Sequence, residues 1–463
     1  VHRPMRGSNK RGLLKKLQWA LEYSAFLVVE RLVGLLSMAS LWRTGAALSG
    51  CAHLFRSRWP IVRNNLRSAL GPATDEKELS TLTREVFRHT AANLLTALKG
   101  SRLSSDLVRG CITTTGDEIL ISALREEKGV ILISPHMGNF ELLSQGLGAF
   151  HPELKVAGIY RPLNNIYLDP LIQKRRSHHG MKLFSKFTSY SAPMKFLRNG
   201  GVLGILADQR AGPPGTIVPF FGRLMSMSPL PAFMHKHTGA PIVGVSMKTI
   251  SPGRWEVAFH ELSLSINEEV TTAHIAYFLE EMTSRSFVDV FWMQDLWRTN
   301  KRRPLEISGK KGPLRLKRDR GKDLYPFSVL VRVPDKPQEF TQTITALNSL
   351  VESRPDFDLH LLARERLRAE VRQTGIAHTF HPVEDCNLPP TLSMAIALTD
   401  DESSARDLAD LYEGPVYSLP GSSQSRKNWN IITIEQDLTP EQRWLEVARS
   451  LGMHDPPLQL SYI

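Results

Sequence analysis

The sequence has few cysteines and no repeats, and each absence excludes a class of protein. Its three cysteines, Cys51, Cys111 and Cys386, are far apart and form no C-x-x-C pair, so neither a disulfide scaffold, a zinc site nor a redox pair is indicated. With 42% hydrophobic and 22% charged residues and no low-complexity tract, the chain is not disordered or collagenous. Cysteine usage of this kind favours a reducing cytoplasm.

The sequence also has no long uncharged apolar run. Residues 17–42 are strongly apolar, but Glu22, Glu30 and Arg31 interrupt them. No stretch reaches the roughly 18 uncharged residues that a spanning helix needs, and no small-residue cleavage site of the signal-peptide type follows. We therefore expect an amphipathic helix that lies in the membrane interface, with a buried core helix as the alternative.

The net charge of +12 is concentrated in two short segments. The first sixteen residues carry a net +6, and residues 298–322 carry eleven basic and two acidic residues, a net +9. The second segment is rich in glycine and proline and lacks interleaved aromatics, which disfavours nucleic acid as the partner. It is either a solvated linker or a contact with an anionic membrane surface, where each Lys or Arg contributes about 1 kcal/mol.

The length of 463 residues exceeds a single core, and the chain divides by pattern into four segments. Residues 1–100 are predicted to be helical and membrane-associating, with one helix starting near Thr74 and Asp75. Residues 101–297 alternate short apolar runs, at residues 129–134, 155–160, 201–207 and 240–247, with helical patterns, as an α/β core does. Residues 298–324 are predicted to be a basic linker. Residues 325–463 alternate again, with a helix over residues 337–353 among the predicted elements, and predict a small α/β domain with a parallel sheet. The fold class is therefore α/β: a sheet with flanking helices follows the N-terminal helical region, and a small α/β domain ends the chain.

The stretch V-I-L-I-S-P-H-M-G-N-F-E at residues 130–141 carries the chemistry. An apolar strand ends at Ser134, His136 follows at its carboxyl end, where α/β proteins bind ligands, and a helix begins near Asn139. Glu141, in the first turn, is expected to accept a hydrogen bond from one imidazole nitrogen and to leave the other as a base. No G-x-S-x-G motif supplies a nucleophile. The pattern predicts direct transfer: the base deprotonates a substrate hydroxyl, which attacks an acyl donor. The alternative is a surface histidine without a function.

Five ordered motifs resemble one family. H-M-G-N-F-E is followed by Y-R-P-L-N-N (residues 160–165), A-D-Q-R-A-G (207–212), P-F-F-G (219–222) and H-T-G-A-P-I (237–242). In order and rough spacing they resemble the bacterial lipid A late acyltransferases, the lauroyl and myristoyl transferases of the lysophospholipid acyltransferase superfamily. The resemblance spans about residues 15–300 and includes V-R-N-N-L at residues 62–66.

The resemblance implies transfer of an acyl chain from acyl carrier protein to a hydroxyl of a membrane glycolipid, at the cytoplasmic face of the inner membrane. It implies neither a metal nor a cofactor. The family's catalytic pair falls on His136 and Glu141.

The remaining motif residues are implied to bind substrate. Arg161 suits an oxyanion or a phosphate, Asp208 matches the family's third-block acid, and Arg210 suits a phosphate. Asn139 matches the turn after the histidine, either as a substrate contact or as a helix N-cap.

Two positions depart from the family pattern. Leu230 stands where the family has a glycine before Pro-Ala, and residues 292–296 read W-M-Q-D-L where the family has W-x-H-R-R. The second change removes two basic residues that would contact the acceptor's phosphate. Basic residues just beyond it are expected to substitute: Arg298, Lys301, Arg302 and Arg303.

The last segment resembles the nucleotide-sugar-binding half of ADP-heptose-type glycosyltransferases. Where that family has a small turn containing Gly and His, this chain has Thr399 followed by Asp400, Asp401 and Glu402. Three carboxylates oppose the binding of a diphosphate. We therefore expect a degenerate, Rossmann-like domain without catalytic activity.

Two further interpretations stay open. The chain is alternatively a non-catalytic scaffold for envelope synthesis, or an acyltransferase for another glycolipid such as a phosphatidylinositol mannoside. A glycerol-phosphate acyltransferase is disfavoured, because the later motifs resemble the lipid A branch.

Overall fold

A computed structural model describes residues 9–50, 57–71, 74–264, 268–317, 324–420, 428–435 and 437–462. The chain divides into two compact units. The first comprises residues 1–210 and 227–296, and the second comprises residues 211–226 and 297–463. Cys51 lies outside the described residues.

The described part of residues 1–100 is mainly helical, as predicted. The Asp75 carboxylate accepts hydrogen bonds from the amides of Lys77 and Glu78 and so caps a helix where the sequence predicts a start. The helices are α1 (Asn9–Gly34), α2 (Met38–Leu48), α3 (Trp59–Leu70) and α4 (Glu76–Gly100).

Strands and helices then follow one another up to residue 296, and they include the hairpin within residues 211–226 that belongs to the second unit. The strands are β1 (Ile112–Thr115), β2 (Val130–Ser134), β3 (Val156–Tyr160), β4 (Lys182–Ser185), β5 (Val202–Leu206), β6 (Thr216–Phe220), β7 (Arg223–Met227), β8 (Ile242–Ser251) and β9 (Arg254–Glu261). The helices are α5 (Ser105–Cys111), α6 (Asp117–Leu124), α7 (Phe140–Phe150), α8 (Leu168–Arg176), α9 (Ser191–Arg198), α10 (Leu230–Thr238) and α11 (Thr272–Thr283).

Seven of these strands form one sheet in the order β1-β9-β8-β2-β5-β3-β4. β2 lies inside the sheet and pairs in parallel with β5 and with β8, and β3 pairs in parallel with β5 and with β4. β9 runs antiparallel to β8. Because parallel strands share a carboxyl edge, the loops that follow β2, β3 and β5 meet at one edge of the sheet. The four apolar runs that predict β2, β3, β5 and β8 are confirmed as strands.

Helix α1 presents acids to the protein body and leucines to solvent. The buried Glu30 carboxylate accepts two hydrogen bonds of 2.8 Å from Arg175, and Asn165 donates to the Trp19 carbonyl and to Glu22. The opposite face exposes a stripe of apolar side chains at helical spacing: Leu17, Leu21, Val28 and Leu32. Among the described helices, none is both long enough and apolar enough to cross a membrane.

The second unit is also α/β. Its further strands are β10 (Leu314–Leu316), β11 (Phe327–Arg332), β12 (Phe357–Ala363), β13 (Thr379–Pro382), β14 (Met394–Ala397), β15 (Val416–Ser418), β16 (Trp429–Ile431) and β17 (Leu460–Tyr462). Its helices are α12 (Pro337–Thr341), α13 (Ile344–Ser353), α14 (Arg368–Gln373), α15 (Glu402–Leu411) and α16 (Pro440–Ser450).

The main sheet of this unit has six parallel strands in the order β13-β12-β11-β14-β15-β16. Buried side chains of β11 and β12, among them Val329 and Leu361, pack with residues of α13 and α16 such as Leu350 and Val447. The parallel sheet predicted for residues 325–463 is confirmed.

Two smaller pairings extend the second unit beyond the predicted boundaries. β10 pairs in parallel with β17, so part of the segment predicted as a linker is folded, with Leu314 fully buried. β6 and β7 form a hairpin closed by Phe221 (φ 48°) and Gly222 (φ 70°). Two positive φ angles are typical of a type I′ turn, which explains the glycine of P-F-F-G.

Candidate active site

The loop that carries His136 is a tight turn between β2 and α7. Gly138 has φ 58°, and a Cβ there would lie 2.5 Å from the Met247 carbonyl oxygen, so only glycine fits. Asn139 then caps α7: its Oδ1 accepts from the amide of Leu142 and its Nδ2 donates to Thr96. The N-cap alternative for Asn139 is thus confirmed, and both ends of its buried amide are engaged within the protein rather than presented to a substrate.

A second segment, residues 289–291, is hydrogen-bonded to the backbone of the His136 loop. The Phe291 amide donates to the His136 carbonyl and the Gly138 amide to the Asp289 carbonyl, both at 2.8 Å. The buried Asp289 carboxylate accepts hydrogen bonds from Thr249, Ser286 and His89. Burial raises the pKa of Asp289, but the His89 and Thr249 hydrogen bonds outweigh that effect and lower it below the usual value. The backbone path of the loop is therefore fixed.

Asp208, and not Glu141, is the carboxylate that accepts the hydrogen bond of the His136 imidazole. β5 neighbours β2, and the loop after it brings Asp208 to His136: Oδ1 lies 2.5 Å from the imidazole Nδ1, and Oδ2 accepts the His136 amide at 2.8 Å. The two-point contact fixes the ring and places its proton on Nδ1, because a carboxylate only accepts. Asp208 was predicted to contact substrate. In the structure it takes the place expected for Glu141, as the carboxylate paired with His136.

Gln209 lies against the other ring nitrogen. Its side-chain Nε2 is 2.8 Å from the Nε2 of His136 and donates to the lone pair there. A substrate hydroxyl that is to be deprotonated by His136 must take the place of this amide.

The surroundings of His136 favour its protonated form. Burial lowers the pKa of the imidazole, but the charge and hydrogen bond of Asp208, with a further contribution from Glu141, outweigh burial and raise the pKa above 6.5. Such a group is a stronger base than an ordinary histidine, and the carboxylate stabilises the imidazolium that forms when it accepts a proton.

Glu141 is engaged by Arg176 instead of by His136. The guanidinium at the end of α8 donates to both carboxylate oxygens, at 2.9 Å and 2.5 Å. The prediction that Glu141 accepts the imidazole hydrogen bond is therefore wrong. The pair is partly buried. Among the contacts described for the ring, Glu141 contributes only its charge, which raises the pKa of the imidazole.

The two other arginines of the motifs are exposed. Arg161 follows β3 and Arg210 follows Gln209, both at the carboxyl edge that carries His136. They are therefore accessible to an anionic substrate approaching that edge.

Sequence reasoning did not find Arg176 or Gln209. Gln209 stands next to Asp208 in the A-D-Q-R-A-G motif, so the motif contained the signal. Arg176 lies in K-R-R at the end of a helix, where basic residues normally complement the helix dipole, so no sequence signal marks it.

The block at residues 292–296 has a structural role. Asn65 of V-R-N-N-L donates its side-chain amide to the carbonyls of Trp292, at 2.9 Å, and Gln294, at 2.6 Å. Trp292 is buried and donates to the Phe287 carbonyl. This block thus anchors residues 289–291, which hold the His136 loop, and it does so although it contains no basic residue.

No group of three or more His, Cys, Asp or Glu side chains that could hold a metal ion occurs in the part of the chain that the structure describes.

Residues 10–299 match the family model described as bacterial lipid A biosynthesis acyltransferase. A search of curated proteins finds no significant match. The matched span covers more than half of the chain and includes His136, Glu141, Asp208 and Arg176, so the chain belongs to the bacterial lipid A biosynthesis acyltransferase family.

Proposed function

We propose that this protein transfers a fatty acyl chain from acyl carrier protein to a hydroxyl of a lipid A-type glycolipid, with His136 as the general base. The observation that carries the proposal is the pairing of His136 with Asp208 at the carboxyl edge of the sheet. Ser134, the nearest hydroxyl along the chain, donates to the Pro135 carbonyl and is buried. Direct transfer therefore needs no nucleophile from the protein.

In the proposed mechanism, the acceptor hydroxyl replaces the Gln209 amide and donates to the Nε2 of His136. As the imidazole takes the proton, the hydroxyl oxygen attacks the thioester carbonyl and forms the new C–O bond. The C–S bond then breaks, and the imidazolium returns the proton to the leaving thiolate. Asp208 keeps its charge and stabilises the imidazolium throughout.

Arginines at the same edge suit the charges of such a reaction. Arg176, held by Glu141, and the exposed Arg161 and Arg210 supply positive charge near His136 for an oxyanion or for a phosphate of the acceptor. In this proposal Glu141 positions Arg176 and adds negative charge near the imidazolium.

We also propose that the protein acts on the cytoplasmic face of the inner membrane. The exposed apolar stripe of α1 and the +6 charge of the first sixteen residues support attachment to an anionic lipid surface. α1 contacts Asn165, in the loop after β3, and the neighbouring Ile166 and Tyr167 are exposed. The apolar surface and the site thus belong to the same edge of the sheet.

We propose that the parallel sheet of the second unit is Rossmann-like and degenerate. Its strands follow the order 3-2-1-4-5-6, whose ligand crevice lies between the first and fourth strands, here β11 and β14. Buried Arg332 at the end of β11 donates there to Asp335, Asp407 and Ser404. Asp401 caps α15, at the helix end where a diphosphate would bind. Ion pairs within the protein therefore occupy the crevice in which a diphosphate would bind.

The test is the mass of the lipid product formed from a panel of acyl-carrier-protein donors and a membrane extract. Wild-type protein adds one acyl chain to a glycolipid, and His136→Ala lowers kcat by roughly 10²–10⁴-fold. His178→Ala, a change at an exposed histidine, is the matched control and leaves the rate unchanged.

Three outcomes separate the alternatives. Product from a mannolipid acceptor places the enzyme in another glycolipid pathway. Equal product from wild type and His136→Ala contradicts the proposed mechanism. No product from any donor supports the scaffold.

A further inference from the structure

Part of the acyltransferase sequence folds with the C-terminal unit. Residues 211–226, which form the β6–β7 hairpin, lie inside the family match of residues 10–299 but belong to the second compact unit. The hairpin is therefore a shared element: its two ends continue into the acyltransferase unit, and its body packs with residues 297–463.

Backbone hydrogen bonds join the hairpin to the segment before β11. The Lys310 amide donates to the Gly215 carbonyl, and the Tyr325 amide donates to the carbonyl of the turn residue Gly222, both at 2.7 Å. Thr216 and Lys310 also form a parallel bridge. The root and the tip of the hairpin are thus both fixed.

Side chains complete the attachment. Ile217 and Leu224 of the hairpin are buried with Leu314 and Leu458. Trp297 stacks on Phe220 with ring centroids 6.0 Å apart, and its indole donates to the Arg223 carbonyl at 3.3 Å.

Gly309 shows how closely the segment before β11 packs against the hairpin. A Cβ at Gly309 would lie only 2.8 Å from the Ile217 side chain and 3.2 Å from the Ser226 hydroxyl. A side chain at this position would therefore displace the hairpin.

The hairpin begins directly after the catalytic loop. Asp208 and Gln209, which contact the two ring nitrogens of His136, precede Ala211 by three and two residues. Arg210 and Met227 form a bridge at the base of the hairpin, and the Ala211 amide donates to the Ser226 carbonyl at 2.9 Å. Movement of the hairpin therefore moves the loop that orients the imidazole.

We infer that the C-terminal unit is a positioning element of the acyl-transfer site, which holds the β6–β7 hairpin and thereby fixes Asp208 and Gln209 against His136. The expected effect on acyl transfer rests on the proposed function, whereas the expected effect on the position of the loop at residues 207–212 does not. It assigns this unit a role that needs no nucleotide-sugar ligand.

The experiment compares Trp297→Ala with Leu408→Ala in the full-length chain. Trp297 contacts the hairpin, whereas Leu408 is buried in another apolar cluster of the same unit, which contains no hairpin residue. Thermal unfolding of both variants sets a temperature at which both are folded. Hydrogen exchange of the amides of residues 207–212 and the kinetics of acyl transfer are then measured there.

Trp297→Ala should accelerate exchange in residues 207–212 and lower kcat by about 10–100-fold, with a smaller change in KM, because misplacement by about 1 Å is this costly. Gly309→Ala, which displaces the hairpin without removing a contact, should do the same. Leu408→Ala should leave both quantities at the wild-type level.

The inference is overturned if both hairpin variants leave the exchange unchanged, or if Leu408→Ala reproduces their loss of kcat. An inactive wild-type protein would refute the proposed function alone, because exchange still decides whether the C-terminal unit fixes the loop.

Discussion

At the scale of residues, the site is organised around one imidazole and two carboxylates with different tasks. The Asp208 carboxylate accepts hydrogen bonds from the imidazole and from the backbone amide of His136, whereas Glu141 binds Arg176. Because Asp208 and Glu141 raise the pKa of His136 above 6.5, His136 is protonated at low pH and becomes a base only as the pH rises through that value. Activity should therefore have an acid limb above pH 6.5.

The pairing of Asp208 with His136 could not be derived from the sequence. The two residues are 72 positions apart, and only the adjacency of β2 and β5 brings them together. Glu141 is five positions from His136, so local spacing favoured it, but Arg176 at the end of α8 holds its carboxylate. Long-range ion pairs of this kind leave no mark in local sequence.

At the scale of elements, the predictable strands are those buried on both faces. β2, β5 and β8 begin as continuous apolar runs and were predicted, whereas β1 and β4 have four residues each and mix polar with apolar side chains. The helix predicted over residues 337–353 is divided into α12 and α13 at Gln342 and Thr343. Where burial is one-sided or the element is short, periodicity carries too little information.

Helix α1 shows why charges within an apolar segment do not exclude a membrane role. Glu30 faces the protein and pairs with Arg175, so it does not interrupt the exposed stripe. Leu17, Leu21, Val28 and Leu32 lie within one narrow sector of the helix, as their spacing of four, seven and four residues requires. The stripe itself is therefore apolar, although exposed charged side chains such as Lys16 and Arg31 occur elsewhere on the helix.

This geometry predicts that replacing Leu17, Leu21 and Leu32 by glutamine releases the protein from membranes. The three side chains are 54%, 72% and 60% exposed, so the fold loses little. Burial of one leucine contributes about 1.5–3 kcal/mol, so binding should fall by at least 100-fold. Co-sedimentation with anionic vesicles measures this.

Leu107→Gln, a change at an exposed leucine of α5, is the control and should remain bound. Raised salt should weaken the residual binding of the triple variant, because exposed charges are screened. Unchanged sedimentation of the triple variant would show that α1 does not contact lipid.

At the scale of the whole molecule, the chain joins an acyltransferase unit to an α/β unit whose ligand crevice holds ion pairs. Arg332 is fully buried and shares Asp407 with Arg364. Breaking such a pair by removing one partner costs about 3–5 kcal/mol. A ligand that displaced one of the carboxylates from Arg332 would have to offset this free energy. This supports our proposal that the unit is degenerate and does not bind a nucleotide sugar.

We therefore predict no measurable binding of ADP- or UDP-sugars to the full-length protein. The diphosphate would meet Asp401, whose pKa is lowered to about 2 by hydrogen bonds from Ser403 and Ser404, so it is ionised at any physiological pH. Calorimetric titration is the measurement. A micromolar affinity would contradict a degenerate crevice and indicate a bifunctional enzyme.

The most direct test of the central claim compares Asp208→Asn with Glu141→Gln in the pH dependence of kcat/KM for acyl transfer. Pairing of His136 with Asp208 predicts that Asp208→Asn costs about 10²–10⁴-fold and moves the acid limb to lower pH, because a charge that raises the imidazole pKa is removed. Glu141→Gln should cost less and move the limb less. The reverse ranking, or an acid limb unmoved in Asp208→Asn, would contradict the account.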